Sequence, residues 1–144
     1  MKQEENKTLT LPLNKKENKI PTILLVEDTA SQALRFKTNL ENGGCRVHWA
    51  DTGKSGLKAA AEDNYDLIVL DIELPDINGF QVCKHLKADP NLAHIPVVML
   101  TTRDEARDAK IGLDYGAIDY IPKDPFSEAV LLATLKQMGL QVAM

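Results

Sequence analysis

Five short apolar runs alternate with stretches whose apolar residues recur three and four apart, and this alternation constrains the chain more than any other feature. The runs are Thr22–Val26, Arg46–Ala50, Asp66–Leu70, Pro96–Leu100 and Ala117–Ile121. Short apolar runs separated by amphipathic helical segments are the pattern of parallel strands joined by crossover helices. The helical segments carry Ala30, Ala33, Leu34 and Leu40; Leu57, Ala60 and Ala61; Val82, Cys83 and Leu86; Ala106, Ala109 and Leu113; and Leu131, Leu132, Leu135 and Met138. Gly43-Gly44, Asp89-Pro90 and Gly116 stand where the first, third and fourth helices should stop. The first, third and fourth runs are almost wholly apolar, as strands covered on both faces must be. Arg46, His48 and Asp119 interrupt the second and fifth, which places those two at the edges. Right-handed crossovers with helices on both faces then give an α/β, doubly wound, five-stranded parallel sheet of order 2-1-3-4-5 with five helices.

Residues 21–144 form one domain in this reading, and residues 1–20 form a flexible tail. The tail holds five Lys and three Glu, net +2, so the rest of the chain carries −6 of the total −4. Its apolar content is too small to offset the entropy of ordering. An acidic chain with a pI of 5.4 is a poor candidate for direct nucleic-acid binding. No apolar run approaches the ~20 residues of a membrane span, and MKQEENK lacks the apolar centre of a signal peptide, so a cytoplasmic protein without membrane insertion is expected. Cys45 and Cys83 lack C-x-x-C spacing and read as reduced structural thiols.

Ligands of open parallel sheets bind beyond the carboxyl ends of the strands, where strand order reverses. At that rim the first strand delivers Glu27-Asp28, the third Asp71, the fourth Thr101-Thr102, and the fifth Lys123. Each of these residues alone has an ordinary explanation as a cap, turn or solvated side chain. Their arrival at one rim does not. Three converging carboxylates repel one another unless a cation neutralises them, and oxygen-only donors favour Mg²⁺, or Mn²⁺, over Zn²⁺. With Lys123 and the Thr101 hydroxyl facing an anion, such a site suits phosphoryl transfer, and Asp71 could itself be the nucleophile.

The motifs ILLVED (Ile23–Asp28), DLIVLDIELPDINGF (Asp66–Phe80), IPVVMLTT (Ile95–Thr102) and GAIDYIPKDPF (Gly116–Phe126) resemble the receiver domain of bacterial two-component response regulators, over nearly all of residues 22–139. The resemblance implies a flavodoxin-like fold in which Glu27 and Asp28 organise Mg²⁺, Glu73 adds a backbone carbonyl, and Asp71 accepts a phosphoryl group from a phosphohistidine. It further implies that Lys123 pairs with the phosphoryl group and that Thr101 and Tyr120 form a switch pair, reshaping the face made by helix four, strand five and helix five. The implied partners are a sensor histidine kinase or histidine phosphotransfer protein, and the protein would catalyse only its own phosphorylation and dephosphorylation. One departure is Asp124, which stands after Lys123 where the family usually has Pro; a trans Lys-Asp peptide is the expectation. Asp124 either weakens the phosphorylated state or helps hold the Lys. Glu73 and Thr102 occupy positions that, in the family, influence how water reaches the phosphoryl group.

With no length for an output domain, a free-standing receiver acting through a downstream protein partner or a homodimer is expected. The last helix carries more apolar residues than one face buries, among them Val130, Leu132 and Met138. His48, His85 and His94 read as surface or edge residues, and Trp49 as packed on the edge strand. A haloacid-dehalogenase-type phosphatase would need a second Asp where Glu73 stands, and a dinucleotide binder a glycine-rich first loop where EDTASQ stands. A pseudo-receiver that binds partners without phosphorylation is the alternative.

Overall fold

The computed structural model describes residues 20–102, 106–140 and 142. The expected tail, apart from Ile20, lies outside them. Five strands, β1 (Thr22–Val26), β2 (Arg46–Ala50), β3 (Leu67–Leu70), β4 (Val97–Thr101) and β5 (Asp119–Pro122), alternate with five helices. The helices are α1 (Ala30–Asn42), α2 (Gly53–Glu62), α3 (Gly79–Ala88), α4 (Ala106–Asp114) and α5 (Ser127–Gln137). The sheet is parallel in the order β2-β1-β3-β4-β5, as the strand compositions require.

Alternate residues of each strand face opposite sides of the sheet, and each side has its own core. Leu24, Val26, Ile68, Leu70, Val97 and Met99 pack with Ala60, Val82, Cys83 and Leu86 from α2 and α3. Ile23, Leu25, Leu67, Val69, Val98 and Leu100 pack with Phe36 and Leu40 of α1 and with Leu131 and Leu135 of α5. The three central strands are buried along nearly their whole length, whereas β2 exposes Arg46, His48 and Trp49, and β5 exposes Asp119 and Pro122.

Strand limits differ from expectation where hydrogen bonding intervenes. Asp66 precedes β3; its carboxylate accepts the Thr22 N–H at 2.8 Å, and its own N–H binds the Thr22 carbonyl. β4 and β5 begin later than expected and each runs one residue further. Ala117 N–H returns to the Gly112 carbonyl, which keeps it with the end of α4. Pro122 closes β5, where an edge strand tolerates a missing N–H. At the end of α1, Gly44 takes φ +97, a left-handed conformation open to glycine, and lets Cys45 N–H reach the Leu40 carbonyl at 3.1 Å.

The helix faces require correction. α1 buries Ala33, Phe36 and Leu40 while Leu34 is 66% exposed. α2 presses Gly53, Gly56, Ala59 and Ala60 inward, leaving Ala61 outside. α4 buries Asp108 and Gly112 and exposes Leu113. Among the described residues no helix is long and apolar enough to cross a membrane.

Candidate functional site

The sheet ends on one rim, and the sequence after each central strand is polar. β1 runs directly into Glu27 and Asp28, and β3 into Asp71. The backbone fixes both junctions: Glu27 N–H donates to the Ala50 carbonyl and Asp71 N–H to the Val26 carbonyl, each at 3.0 Å. The carboxylates of Glu27, Asp28 and Asp71 consequently converge, with ligand atoms within 4.8 Å of one another. Glu27 and Asp71 are buried and Asp28 is exposed, so the cluster opens to solvent on one side.

Lys123, which follows β5, crosses to this cluster. Its N–H donates to the Thr101 carbonyl at 2.8 Å, anchoring the start of the loop. Its Nζ lies 2.5 Å from Glu27 Oε1 and 2.9 Å from Asp71 Oδ2, and also donates to Gln32 Oε1 from the first turn of α1. Burial pushes the Glu27 carboxyl above its ordinary value despite the Lys123 bond and the Thr29 N–H, with the Asp71 charge adding to the rise. Three carboxylates against one ammonium leave a formal charge of −2 in a half-enclosed pocket. An oxygen-only donor set with that surplus, open to solvent at Asp28, fits a hard divalent cation.

Of the expected site residues, Glu27, Asp28, Asp71 and Lys123 meet at this cluster. Thr101 is fully buried at the end of β4, and Thr102 beside it is exposed. Glu73 N–H points to Asp71 Oδ1 at a long 3.4 Å, and its side chain lies at the surface. Tyr120 is half-buried on β5 and packs against the core beside Gly112. Asp124 does not hold Lys123. Its carboxylate accepts the Phe126 N–H at 2.8 Å and its carbonyl accepts the Ser127 hydroxyl, so it shapes the entry to α5. The Lys123–Asp124 peptide is trans, no cis bond being present among the described residues.

Several contacts were invisible in the sequence. Gln32 gives no sequence signal beyond its place in the turn after the first strand. Trp49, expected only to pack on the edge strand, donates its indole N–H to the Glu27 carbonyl at 2.6 Å while remaining 39% exposed. Asp76, in the loop after Asp71, accepts the N–H groups of Gly53 and Lys54 at 2.8 Å each, tying that loop to the start of α2. Gly79 makes the closest approach: a Cβ there would lie 2.1 Å from the Asp71 carbonyl oxygen.

Comparison with known proteins agrees with this geometry. Residues 23–136 match the response regulator receiver domain family. The chain is 39% identical over 116 residues to the response regulator ArlR of Staphylococcus saprophyticus, covering 81% of this chain and 51% of that protein. It thus spans about half the length of several curated relatives that it matches. It is also 35% identical to the protein PilH of Pseudomonas aeruginosa, covering 78% of this chain and 93% of PilH. Among solved structures, a putative response regulator from Chloroflexus aurantiacus superposes with a TM-score of 0.78 at 29% identity, covering 84% of this chain and 98% of its own. The chemotaxis protein CheY4 of Vibrio cholerae does so with a TM-score of 0.76 at 28% identity, covering 83% and 98%. With the family match spanning residues 23–136, and with PilH matched at 35% identity over 93% of its length, the chain belongs to the response regulator receiver domain family.

Proposed function

We propose that this protein is a cytoplasmic phosphorylation switch in which Asp71 accepts a phosphoryl group from the phosphohistidine of a sensor histidine kinase or a histidine phosphotransfer protein. The observation that carries this reading is the position of Lys123 Nζ, 2.9 Å from Asp71 Oδ2 and 2.5 Å from Glu27 Oε1. An ammonium so placed neutralises a carboxylate in the resting protein and is ready to meet the charge of an arriving phosphoryl group.

The residues act as follows. A carboxylate oxygen of Asp71 forms the new P–O bond as the donor's P–N bond breaks, its electron pair leaving on the imidazole nitrogen. Lys123 donates to a phosphoryl oxygen, and the buried Thr101 hydroxyl supplies a further donor. Glu27, Asp28 and Asp71, with the Glu73 backbone carbonyl, would hold Mg²⁺, or Mn²⁺ in its place. When bound, that ion supplies charge neutralisation for the phosphoryl oxygens. Thr101 and Tyr120 couple the new charge to α4, β5 and α5 by favouring one of two arrangements of that face.

Leu113, Tyr115, Ile118, Phe126 and Val130 are large, exposed and apolar, and all belong to α4, β5 or α5 or to the turns that join them. This concentration supports a downstream protein partner, or a second copy, docking there in response to phosphorylation. The match across nearly the whole of PilH supports a role for the receiver by itself. Glu73 and Thr102 are exposed, which supports a role for their side chains in modulating hydrolysis. The Glu73→Asn/Thr102→Ala variant is expected to change the decay rate of the phosphorylated protein, and an unchanged rate contradicts that role.

Incubation with acetyl phosphate and Mg²⁺, followed by intact mass, tests the reading. A single phosphoryl adduct is expected that disappears with EDTA and in Asp71→Asn. No adduct in the wild type, or one that persists in Asp71→Asn, overturns it.

A further inference from the structure

We propose that Gln32 is a positioning residue for phosphoryl transfer, its amide oxygen holding the Lys123 ammonium at the acceptor site. This rests on the reading of Asp71 as the phosphoacceptor. A lysine ammonium carries three protons and has no lone pair. In the structure three acceptors meet it, Glu27 Oε1, Asp71 Oδ2 and Gln32 Oε1, one for each proton. They come from the end of β1, the end of β3 and the first turn of α1, so the cation is tethered from three separate elements.

The three acceptors have different duties. Asp71 is the group that reacts, and its bond to Lys123 must be shared with a phosphoryl oxygen once the group is transferred. Glu27 belongs, with Asp28 and Asp71, to the cluster that fits a metal ion. Gln32 has neither duty, so its tether can persist from the resting state through transfer. Its neutrality also matters. A carboxylate at this position would add a fourth negative charge to a pocket that must receive an anion, whereas an amide oxygen holds the ammonium without that repulsion. Because the ammonium only donates, it dictates which way the amide faces, oxygen inward. The lysine stem is long and flexible, and removing its freedom before reaction lowers the barrier rather than the affinity for metal.

The test compares the wild type with Gln32→Met, similar in length but without a strong acceptor, and Gln32→Glu, which keeps one. The readouts are the initial rate of phosphorylation by acetyl phosphate at saturating Mg²⁺, Mg²⁺ affinity from the fluorescence of Trp49, and thermal melting. Gln32→Met is expected to be phosphorylated about tenfold more slowly, with Mg²⁺ affinity and melting unchanged. Gln32→Glu is expected to recover part of the lost rate. A Gln32→Met rate equal to that of the phosphorylated wild type overturns the proposal and leaves Asp71 as acceptor. Should Gln32→Met melt early, its rate is compared with that of the wild type at a temperature where both are folded, and an equal rate there also overturns it. A wild type that takes up no phosphoryl group removes the acceptor reading and the Gln32 role together.

Discussion

Single residues set the geometry of the rim. Gly79 leaves room for the Asp71 carbonyl, and the backbone it would strike has no flexible end to move aside. Gly79→Ala should therefore destabilise the protein by about 3 kcal/mol or more, read by urea denaturation; a loss within the ordinary surface range of ~0.5 kcal/mol contradicts the contact. Asp76 sets a pH dependence. Slight burial opposes its ionisation, but the N–H groups of Lys54, Ile77 and Gly53 outweigh that and hold the carboxyl below its ordinary value of 3.8. A carboxyl more acidic in the folded than in the unfolded chain stabilises above the unfolded value, and the gain vanishes as pH falls through the folded one. Asp76→Ala should cost about 0.5 to 1 kcal/mol at neutral pH, and the gap from the wild type should close in acid below the ordinary value; a gap constant with pH contradicts the bond. The residues that carry charge at the strand ends, Glu27, Asp28, Asp71 and Lys123, were legible because a strand-end position in a parallel sheet fixes where a side chain goes. Gln32 and Asp76 were not, because their partners depend on how a loop and a helix turn are routed in space.

At the scale of elements, strand identity was legible and helix rotation was not. β1 and β2 have the limits that their apolar runs dictate. The apolar spacing of α4 pointed to Ala109 and Leu113, yet the buried face carries Asp108 and Gly112, because the helix approaches Met99 and Tyr120 closely enough for a glycine to fit. Apolar spacing reports such a face only when the buried residues are themselves apolar. Nor did sequence spacing reveal how α1 and α5 are joined. Glu128, 8% exposed, accepts from Arg35 Nε at 3.0 Å and from Asn39 Nδ2 at 3.0 Å, across 93 and 89 residues of sequence. The two sides of this bridge are unequal, since the Arg35 side chain is 49% exposed and that of Glu128 only 11%. Removing Arg35 leaves a nearly buried carboxylate with the Asn39 amide but no counter-ion, whereas removing Glu128 returns Arg35 to water. Arg35→Ala should cost about 1 to 2 kcal/mol and exceed Glu128→Ala, as measured by urea denaturation. The reverse order contradicts this account of the bridge.

In the whole molecule, one sheet separates two apolar cores and brings its polar termini together at a single end. The cores hold the rim still, and the acidic site sits at its centre. Leu113, Tyr115, Ile118, Phe126 and Val130 lie exposed on the side built by α4, β5 and α5, so a charge gained at Asp71 would have only to alter the ends of β4 and β5 to reach the surface that a partner would read. The central claim is that Asp71 is the atom donor of the new bond, and chemical trapping tests it most directly. After incubation with acetyl phosphate and Mg²⁺, borohydride reduces an aspartyl phosphate to homoserine, and peptide mass spectrometry locates the change. Homoserine at position 71 alone is the result expected. Homoserine at another carboxylate, or none in a protein shown to be folded and loaded with Mg²⁺, would contradict the account.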